Sequence, residues 1–327
     1  MLKIKNNDVS AVLRRYKRKK AAINAAVTLF RLVLLTAIGY IVIYPLLYMV
    51  VTSLRSTESY SDPGVIWLLK DYHWENYKDA FEAIKFPTSF KNTILIEIVS
   101  AFIEVASCSV VAYGIARFEF KTKKLTMVIL ILTIVIPTQM IVIPQMLNFS
   151  QLDLFGILGG INKLTGIDLR VNILDTPLTF YLPSLFGIGL KSGIMIYIYI
   201  QFFKGLPKEL EEAAWIDGAG PVRTFLKIAI PSSGVVILTV TIFSLVWHWN
   251  DYYLAGMFMS DNSPLALKIA NLPDLLPTLG FGHTIINNRA GSVLMAACFM
   301  YVLPMLIMYV CVQNKFVKSI DRVGITG

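Results

Sequence analysis

Long apolar segments are the feature that most constrains the fold of this 327-residue chain. Crossing the hydrocarbon core of a bilayer takes roughly 20 apolar residues in a helix. Segments of about that length lie at residues 32–51, 93–115, 125–147, 186–204, 232–254 and 292–312. In lipid a chain must satisfy its backbone polar groups internally, which a helix does within one segment. The sequence therefore predicts an all-α polytopic membrane protein with about six transmembrane helices.

The composition agrees with this class. Charged residues make up 16% of the chain, and the mean hydropathy is +0.64, whereas soluble domains carry about 25% charged residues. The fourth segment is the weakest because Lys191 interrupts it, and residues 174–186 are alternatively a helix on the outer face. Pro137 and Pro144 predict a kink in the third segment, which suits a transporter but is also common in membrane helices.

The distribution of basic residues predicts the orientation. Twenty Lys or Arg fall in the N-terminal tail, residues 117–124, residues 204–227 and the C-terminal tail. The predicted outer loops hold nine and lie at residues 52–91, 148–177 and 260–289. The positive-inside rule then places both termini in the cytoplasm, in a multi-pass protein of the plasma membrane. Topology thus explains the net charge of +9, and no nucleic-acid partner is expected.

We expect one membrane domain, at residues 32–313, between a basic cytoplasmic tail at 1–31 and a cytoplasmic tail at 314–327. The first apolar run begins too late and is too long for a cleaved signal peptide, so it reads as an uncleaved anchor. The three cysteines and three histidines show no metal-ligand spacing. Neither a metal site nor a disulfide framework is predicted.

A polar element interrupts the apolar chain at residues 205–231. Pro207 suits the first turn of a helix, and residues 208–217 are rich in the helix formers Glu, Leu and Ala. Gly218 and Gly220 tolerate the turn that ends this helix, Pro221 starts a second helix, and Pro231 leads into the fifth span. The element is predicted to be a cytoplasmic helix-turn-helix.

The residue types of this element favour protein contact. Ala213, Ala214 and the glycines allow a close approach, and the carboxylates of Glu211, Glu212 and Asp217 can pair with cations on a partner. The alternative, a helix lying on the membrane surface, needs a basic face and a large apolar face. The acidic, Ala-rich first helix disfavours it.

At this point the sequence resembles a known family. Glu212-Ala213-Ala214, three residues, Gly218, nine residues and Ile228-Ala229-Ile230-Pro231 are similar to the EAA loop of permease subunits of bacterial ABC importers, with Ile230 in place of the usual Leu. Further similarity to the carbohydrate branch, and to its maltose-type, MalG-like subunits, lies at Ala112–Phe118, Ile136–Thr138, Gln201–Phe203, Ile216–Ala219 and Trp249–Asp251.

The resemblance implies a function and partners. The loop would dock on a cytoplasmic ATPase and pass on its closure through Glu209, Glu212, Ala213, Ala214, Asp217, Gly218, Gly220, Ile228 and Pro231. The chain has no phosphate-binding Gly-x-x-x-x-Gly-Lys-Ser/Thr loop, so it is not expected to be an enzyme or to bind a cofactor. ATP and Mg²⁺ belong on two ATPase subunits. A second homologous permease subunit and an extracellular solute-binding protein complete the implied importer of sugars or oligosaccharides.

Charged residues within the spans are candidates for the substrate path. Glu97 and Glu104 are seven residues apart and share a helix face about 10 Å apart. They either form a polar stripe or have structural roles, with Glu97 near the outer headgroups and Glu104 paired. Lys191 either snorkels to the outer surface or lines the pore.

Trp247, Trp249, Asn250 and Asp251 lie at the far end of the fifth span. Their rings and polar groups suit sugar binding, but they equally suit an aromatic belt at the membrane interface. No role is predicted for His248 between them. Two other function classes stay open: a secondary transporter driven by an ion gradient through Glu97 and Glu104, and a permease of the same type for a solute other than sugar. A membrane enzyme is disfavoured, because no catalytic set of side chains converges.

Overall fold

The computed structural model describes residues 6–56, 67, 71–153, 156–167, 169–281 and 289–324, with side chains described between residues 15 and 313. Within these ranges the regular secondary structure is helical, apart from an isolated antiparallel bridge between Leu152 and Val171, and turns and irregular segments connect the helices. His283 and parts of the three predicted outer loops lie outside the described residues.

The helices follow in chain order, and two single-turn π-helices are continuous with neighbouring helices. The α-helices are α1 Asn6–Ser53, α2 Glu75–Ala83, α3 Phe86–Thr93, α4 Val99–Arg117, α5 Lys123–Val135, α6 Thr138–Ser150, α7 Ile157–Thr165, α8 Leu178–Leu185, α9 Ser192–Gly205, α10 Lys208–Ile216, α11 Pro221–Thr224, α12 Ile230–Ser232, α13 Gly234–Trp249, α14 Tyr253–Phe258, α15 Leu265–Leu275 and α16 Ala290–Gly324. The first π-turn is Ile94–Ile98 and the second is Phe225–Ala229.

Among the described residues, three helical stretches are long and apolar enough to cross a bilayer. They are Arg15–Ser53, Phe86–Arg117 and Ala290–Gln313, and the count rises to five if two bent helix pairs are each one span. The all-α membrane fold is confirmed, whereas the count of six spans stays a prediction.

Three of the predicted spans differ from the structure. The third is not continuous: α5 and α6 meet at an angle of 100° around Ile136 and Pro137, where proline has no N–H to continue the helix. Pro144, in contrast, lies inside α6. The fifth span ends at Trp249, five residues earlier than predicted, and is bent by 81° from the helix before it.

The fourth span is shorter than predicted. Helix α9 begins at Ser192 and has 14 residues, about 21 Å at 1.5 Å per residue. Lys191 precedes it in a left-handed backbone conformation, with φ of 61°. Residues Leu178–Leu185 form the separate helix α8, which corresponds to the alternative noted for residues 174–186.

Helix α1 is much longer than a membrane span. Its 48 residues correspond to roughly 72 Å, so the helix includes most of the basic N-terminal tail. It packs against α16, and most of its side chains between residues 15 and 47 are exposed. The predicted tail at 1–31 is therefore helical from Asn6 onward.

The central packing unit joins α4, α9 and α13. Cys108 and Ala112 on α4 belong to one buried cluster with Tyr199 and Phe203 on α9 and Val240 on α13. The small residues on α4 allow the helices to approach closely, as is typical in membranes. This unit carries polar groups at both of its ends. The end with residues 117–124 and 205–231 is called the basic end below.

The opposite end is tied together by polar contacts between segments distant in sequence. Asn76 on α2 donates hydrogen bonds to the carbonyl oxygens of Ser53 and Arg55, both at 2.9 Å. It accepts hydrogen bonds from Arg289, which also pairs with Asp79. The end of α1, helix α2 and the start of α16 are thus held as one unit.

Candidate functional site

The polar element at residues 205–231 is a helix-turn-helix, as predicted. Helix α10 ends at Ile216, and Gly218 follows with φ of 81°, a conformation that favours glycine. The Gly218 N–H donates to the Trp215 carbonyl at 3.0 Å, and the Ala219 N–H donates to the Ala214 carbonyl at 2.9 Å. These bonds satisfy the last carbonyls of α10.

The outer surface of this element carries both acidic and large apolar side chains. Glu209, Glu212 and Asp217 are exposed, and so are Ile216 at 86% and Val222 at 72%. Ala213, Gly218, Gly220 and Pro231 are also exposed, whereas Ala214 and Ile228 are half-buried. Sequence reasoning identified the acidic and small residues here but did not single out the apolar ones.

Glu211 does not face outward, so its predicted pairing with a partner's cations is wrong. Its side chain is buried, and Oε1 lies 3.0 Å from Nε of Arg117 at the end of α4. The contact is an ion pair without the alignment of a directed hydrogen bond at these two atoms. Arg117 also donates from Nη2 to the Leu206 carbonyl at 2.8 Å. Arg117 thus holds both the start of the element and its first helix.

Beyond the turn, the element runs into the membrane segment through an irregular helix. Helix α11 passes into the second π-turn, Phe225–Ala229, and then into α12. The stretch Pro221–Ser232 meets α13 at 81°. The helix-turn-helix is therefore connected to α13 through a sharp bend at Ser233, and α13 runs toward the opposite end.

A cluster of ionisable side chains lies within the spans at that opposite half. His248 on α13 approaches two carboxylates: Nδ1 lies 3.2 Å from Oε2 of Glu97, and Nε2 lies 2.9 Å from Oε2 of Glu104. All three side chains are almost wholly buried. Glu97 is therefore enclosed by other helices of the protein, and its place near the outer headgroups stays a prediction.

Glu104 has two further hydrogen-bond partners. Oε1 accepts from the Ser192 hydroxyl on α9, and Oε2 accepts from the Ser244 hydroxyl on α13 at 3.3 Å. Gly189 borders the same site, because a Cβ there would lie 2.7 Å from Oε1 of Glu104. The contacts of His248 with Glu97 and Glu104 were not predicted, because no pattern in the sequence links His248 to residues about 150 positions earlier.

The other candidates for the substrate path lie in different surroundings. Trp249 is 3% exposed and packs near Phe90 and Tyr301. Its ring is therefore covered by other side chains of this chain. Asp251 is buried and accepts the Leu254 N–H at 3.1 Å. Trp247 is half-buried, and Asn250 and Lys191 are exposed. A substrate-path role for these residues remains a prediction.

A cavity of about 420 Å³ borders the cluster. Mostly apolar side chains line it, and its polar lining includes Gln145, Thr179, Ser184, Ser192 and His248. No group of three or more His, Cys, Asp or Glu among the described residues could hold a metal ion. Lys191, a sequence-predicted candidate for the substrate path, also lines the cavity, which therefore combines apolar surface with hydroxyl, amide, imidazole and ammonium groups.

Membrane-length helices joined to an exposed helix-turn-helix define the class as an α-helical membrane protein. The profile of one family, described as the binding-protein-dependent transport system inner membrane component, matches residues 108–322. The chain belongs to this family. The resemblance inferred from the Glu-Ala-Ala pattern is thereby confirmed, and the chain is a permease of a binding-protein-dependent ABC importer.

Relatives align over most of the chain. The melibiose/raffinose/stachyose import permease protein MelC of Bacillus subtilis (strain 168) is 28% identical over 285 residues, covering 86% of this chain and 91% of MelC. The trehalose transport system permease protein SugB of Mycobacterium tuberculosis (strain CDC 1551 / Oshkosh) is 25% identical, covering 89% and 94%.

The fold is also similar to that of a solved structure. A chain of a bacterial ABC transporter involved in the import of the acidic polysaccharide alginate superposes with a TM-score of 0.66 at 20% identity. The match covers 92% of this chain and 98% of the other. At this identity the likeness shows the fold and carries no conclusion about the solute.

Proposed function

We propose that this importer permease carries sugars or oligosaccharides and that a separate ATPase drives it through the helix-turn-helix at Lys208–Thr224. The observation that carries the proposal is the surface of that element. Ile216 and Val222 are among its most exposed side chains, beside exposed Glu212 and Asp217. Large apolar side chains exposed on a polar element mark a docking surface for a protein partner.

The mounting of the element supports a mechanical role. Arg117 holds α10 against the end of α4, and α11 continues through the second π-turn toward α13. A force on the exposed turn therefore acts on α4 and α13 together. Conformational change in transporters commonly proceeds by such movement of packed helices about a fixed site.

The rest of the assembly follows from this role. The basic end faces the cytoplasm, both termini lie there, and ATP and Mg²⁺ are bound by two ATPase subunits. A second permease subunit completes the pathway, and a solute-binding protein delivers the solute at the opposite end. The fold match to a bacterial alginate transporter in complex with an alginate pentasaccharide-bound periplasmic protein supports this last partner.

The names of the relatives support the solute class. MelC, SugB and the diacetylchitobiose uptake permease NgcG of Streptomyces coelicolor are named for sugars. Another relative, GgtD of Synechocystis, is named for the uptake of osmoprotective compounds, so a non-sugar solute is an outcome that the experiment must be able to detect. The ion-coupled alternative is not favoured, because the family is binding-protein-dependent.

The docking role can be tested with a matched pair of glycines. Gly218 and Gly166 both have positive φ, 81° and 73°, and both have open space where a Cβ would lie. Gly218 is in the helix-turn-helix, whereas Gly166 ends α7 in the predicted outer segment. Each is replaced by Val, with Glu212→Ala added to the first variant, and the co-purifying ATPase is quantified.

We expect the Gly218→Val/Glu212→Ala variant to lose most of the bound ATPase and the Gly166→Val variant to retain it. Both changes to Val strain a left-handed backbone position to a similar degree. A difference in the amount of bound ATPase is therefore due to the altered surface and not to backbone strain. Equal recovery of the ATPase in the two variants would contradict the docking role.

A further inference from the structure

Three helices converge on the Glu104 carboxylate. Glu104 itself belongs to α4, its Oε1 accepts the Ser192 hydroxyl of α9, and its Oε2 accepts from His248 and Ser244 of α13. The carboxylate is fully buried. Hydrogen bonds between helices in a membrane hold their relative position where apolar packing alone is non-directional.

His248 extends this connection along α4 to the first π-turn. Its second ring nitrogen contacts Glu97, which lies within Ile94–Ile98. A carboxylate can only accept, and an imidazole donates from both nitrogens only as a cation. The geometry therefore fits a charged bridge, in which one imidazolium is shared by two buried carboxylates.

The first π-turn supplies a place where movement can be absorbed. π-turns interrupt the regular bonding of a helix and are frequent at functional sites. One lies at Glu97, and the other lies between α11 and α12 in the helix-turn-helix region. Helix α4 begins directly after the first π-turn, and α13 follows the second π-turn and the short helix α12.

Two polar contacts, one near each end of α4, connect α4 to α10 and to α13. At the basic end, Arg117 pairs with Glu211 on α10. In the opposite half, His248 pairs with Glu97 and Glu104. Glu104 and Arg117 are thirteen residues apart on α4, about 20 Å along the helix. The helix-turn-helix therefore contacts the Arg117 end of α4 directly, whereas the far half of α4 contacts α13 through His248.

Building on the proposed function, we propose that His248 is a positioning residue that makes the first π-turn and the adjoining half of α4 follow α13 when the helix-turn-helix moves. Apolar packing brings α4 and α13 together, whereas the bridge fixes their position along the helix axis. Without the bridge, movement of the helix-turn-helix would still occur but would not reach residues 94–104.

Hydrogen–deuterium exchange of the full complex, isolated through a tag on this chain, tests this inference without knowledge of the solute. The probe is Mg·ATP with vanadate, which traps the ATPase in a closed state. His248→Gln alone would leave two buried carboxylates without a cation. The deciding variant is therefore Glu97→Gln/Glu104→Gln/His248→Gln, which keeps size and hydrogen-bonding groups but removes the charges. His73→Gln is the control, because His73 is half-buried and pairs with an exposed carboxylate, Glu75.

In the wild type and in the control we expect trapping to change exchange at least about two-fold in both 205–231 and 94–104. In the triple variant the change in 205–231 should persist while the change in 94–104 is lost. The inference is overturned if 94–104 responds equally in the triple variant, or does not respond in the wild type. Failure of the triple variant to assemble also overturns it, because the bridge would then serve folding.

Failure of the proposed function gives a different result. In that case 205–231 does not respond to trapping even in the wild type, and the inference fails together with the proposed function. A response in 205–231 that is absent from 94–104 rejects the inference and leaves the proposed function in place.

Discussion

Nε of Arg117 lies 3.0 Å from Oε1 of Glu211, and the two side chains are only 6% and 5% exposed. This buried ion pair joins the last residue of α4 to the first turn of α10. Each buried charge has a partner of opposite sign. Arg117 also donates a hydrogen bond to the Leu206 carbonyl at the start of the helix-turn-helix. The position of the docking element is therefore fixed by a charge pair in addition to the apolar core.

Replacing Arg117 by Ala should destabilise the protein and displace α10. Removing one partner leaves the Glu211 carboxylate buried and unpaired, which costs about 3–5 kcal/mol in comparable buried pairs. We expect a lower midpoint of thermal unfolding for the detergent-purified chain and weaker recovery of the ATPase. Differential scanning fluorimetry and co-purification measure the two effects.

The matched control is the double variant Arg117→Met/Glu211→Met. Both charges are removed together, and replacing a buried pair by apolar residues is often neutral or stabilising. We expect this variant to recover most of the thermal stability lost by Arg117→Ala. If the double variant is as unstable as the single one, the ion pair is not the reason for the loss.

A second prediction concerns the close approach of α9 to α5. A Cβ on Gly193 would lie 2.6 Å from Oγ1 of Thr133, which is closer than van der Waals contact. Gly193→Ala should therefore destabilise the protein by about 1–3 kcal/mol, as overpacking does. Thr133→Ala removes the clashing hydroxyl, so Gly193→Ala/Thr133→Ala should be more stable than Gly193→Ala. If the shift in unfolding midpoint of the double variant equals the sum of the shifts of Gly193→Ala and Thr133→Ala, the proposed clash between these two residues is disproved.

A third prediction uses Asp175, which links two of the predicted outer loops. Partial burial raises its pKa, but hydrogen bonds from the backbone N–H groups of Ser260, at 2.9 Å, and Asn262, at 3.2 Å, outweigh burial and hold the pKa of this carboxyl below its usual range. A lowered pKa means that the ionised group stabilises the fold above its unfolded pKa. That stabilisation is lost as pH falls through the folded pKa.

Asp175→Asn should therefore lower the unfolding midpoint at pH 7 and have progressively less effect as the pH falls through the folded pKa of Asp175. Asn tolerates the left-handed backbone at this position, where φ is 59°, so strain does not confound the comparison. Fluorescence-detected unfolding between pH 7 and pH 3 measures the difference. A constant difference across that range would show that charge has no part in the contact.

The helix-turn-helix was predictable from sequence because its signals are local. Pro207 and Pro221 restrict the backbone at fixed positions, Gly218 permits the left-handed turn between them, and the observed α10 ends at Ile216, just before Gly218. The length of the α9 span was not predictable in the same way. Hydropathy alone does not show that Lys191 adopts a left-handed conformation before the helix, nor that the chain breaks at Pro137 while continuing through Pro144.

The polar pairs were not predictable because they join segments distant in the chain. Glu211 looks like its neighbour Glu212 in sequence, but only Glu211 faces Arg117, which lies about 90 residues earlier. His248 is similarly far from Glu97 and Glu104. Helical periodicity places residues on a face, but it does not say which other helix packs against that face.

The central claim is that ATP hydrolysis on a separate chain drives solute uptake through this permease. The direct measurement is uptake into liposomes that hold the full complex, with its solute-binding protein outside and a panel of labelled oligosaccharides that includes melibiose, raffinose and trehalose. We predict that uptake of at least one sugar requires ATP inside and persists when ionophores collapse all ion gradients. Uptake driven by an ion gradient without ATP would contradict the claim.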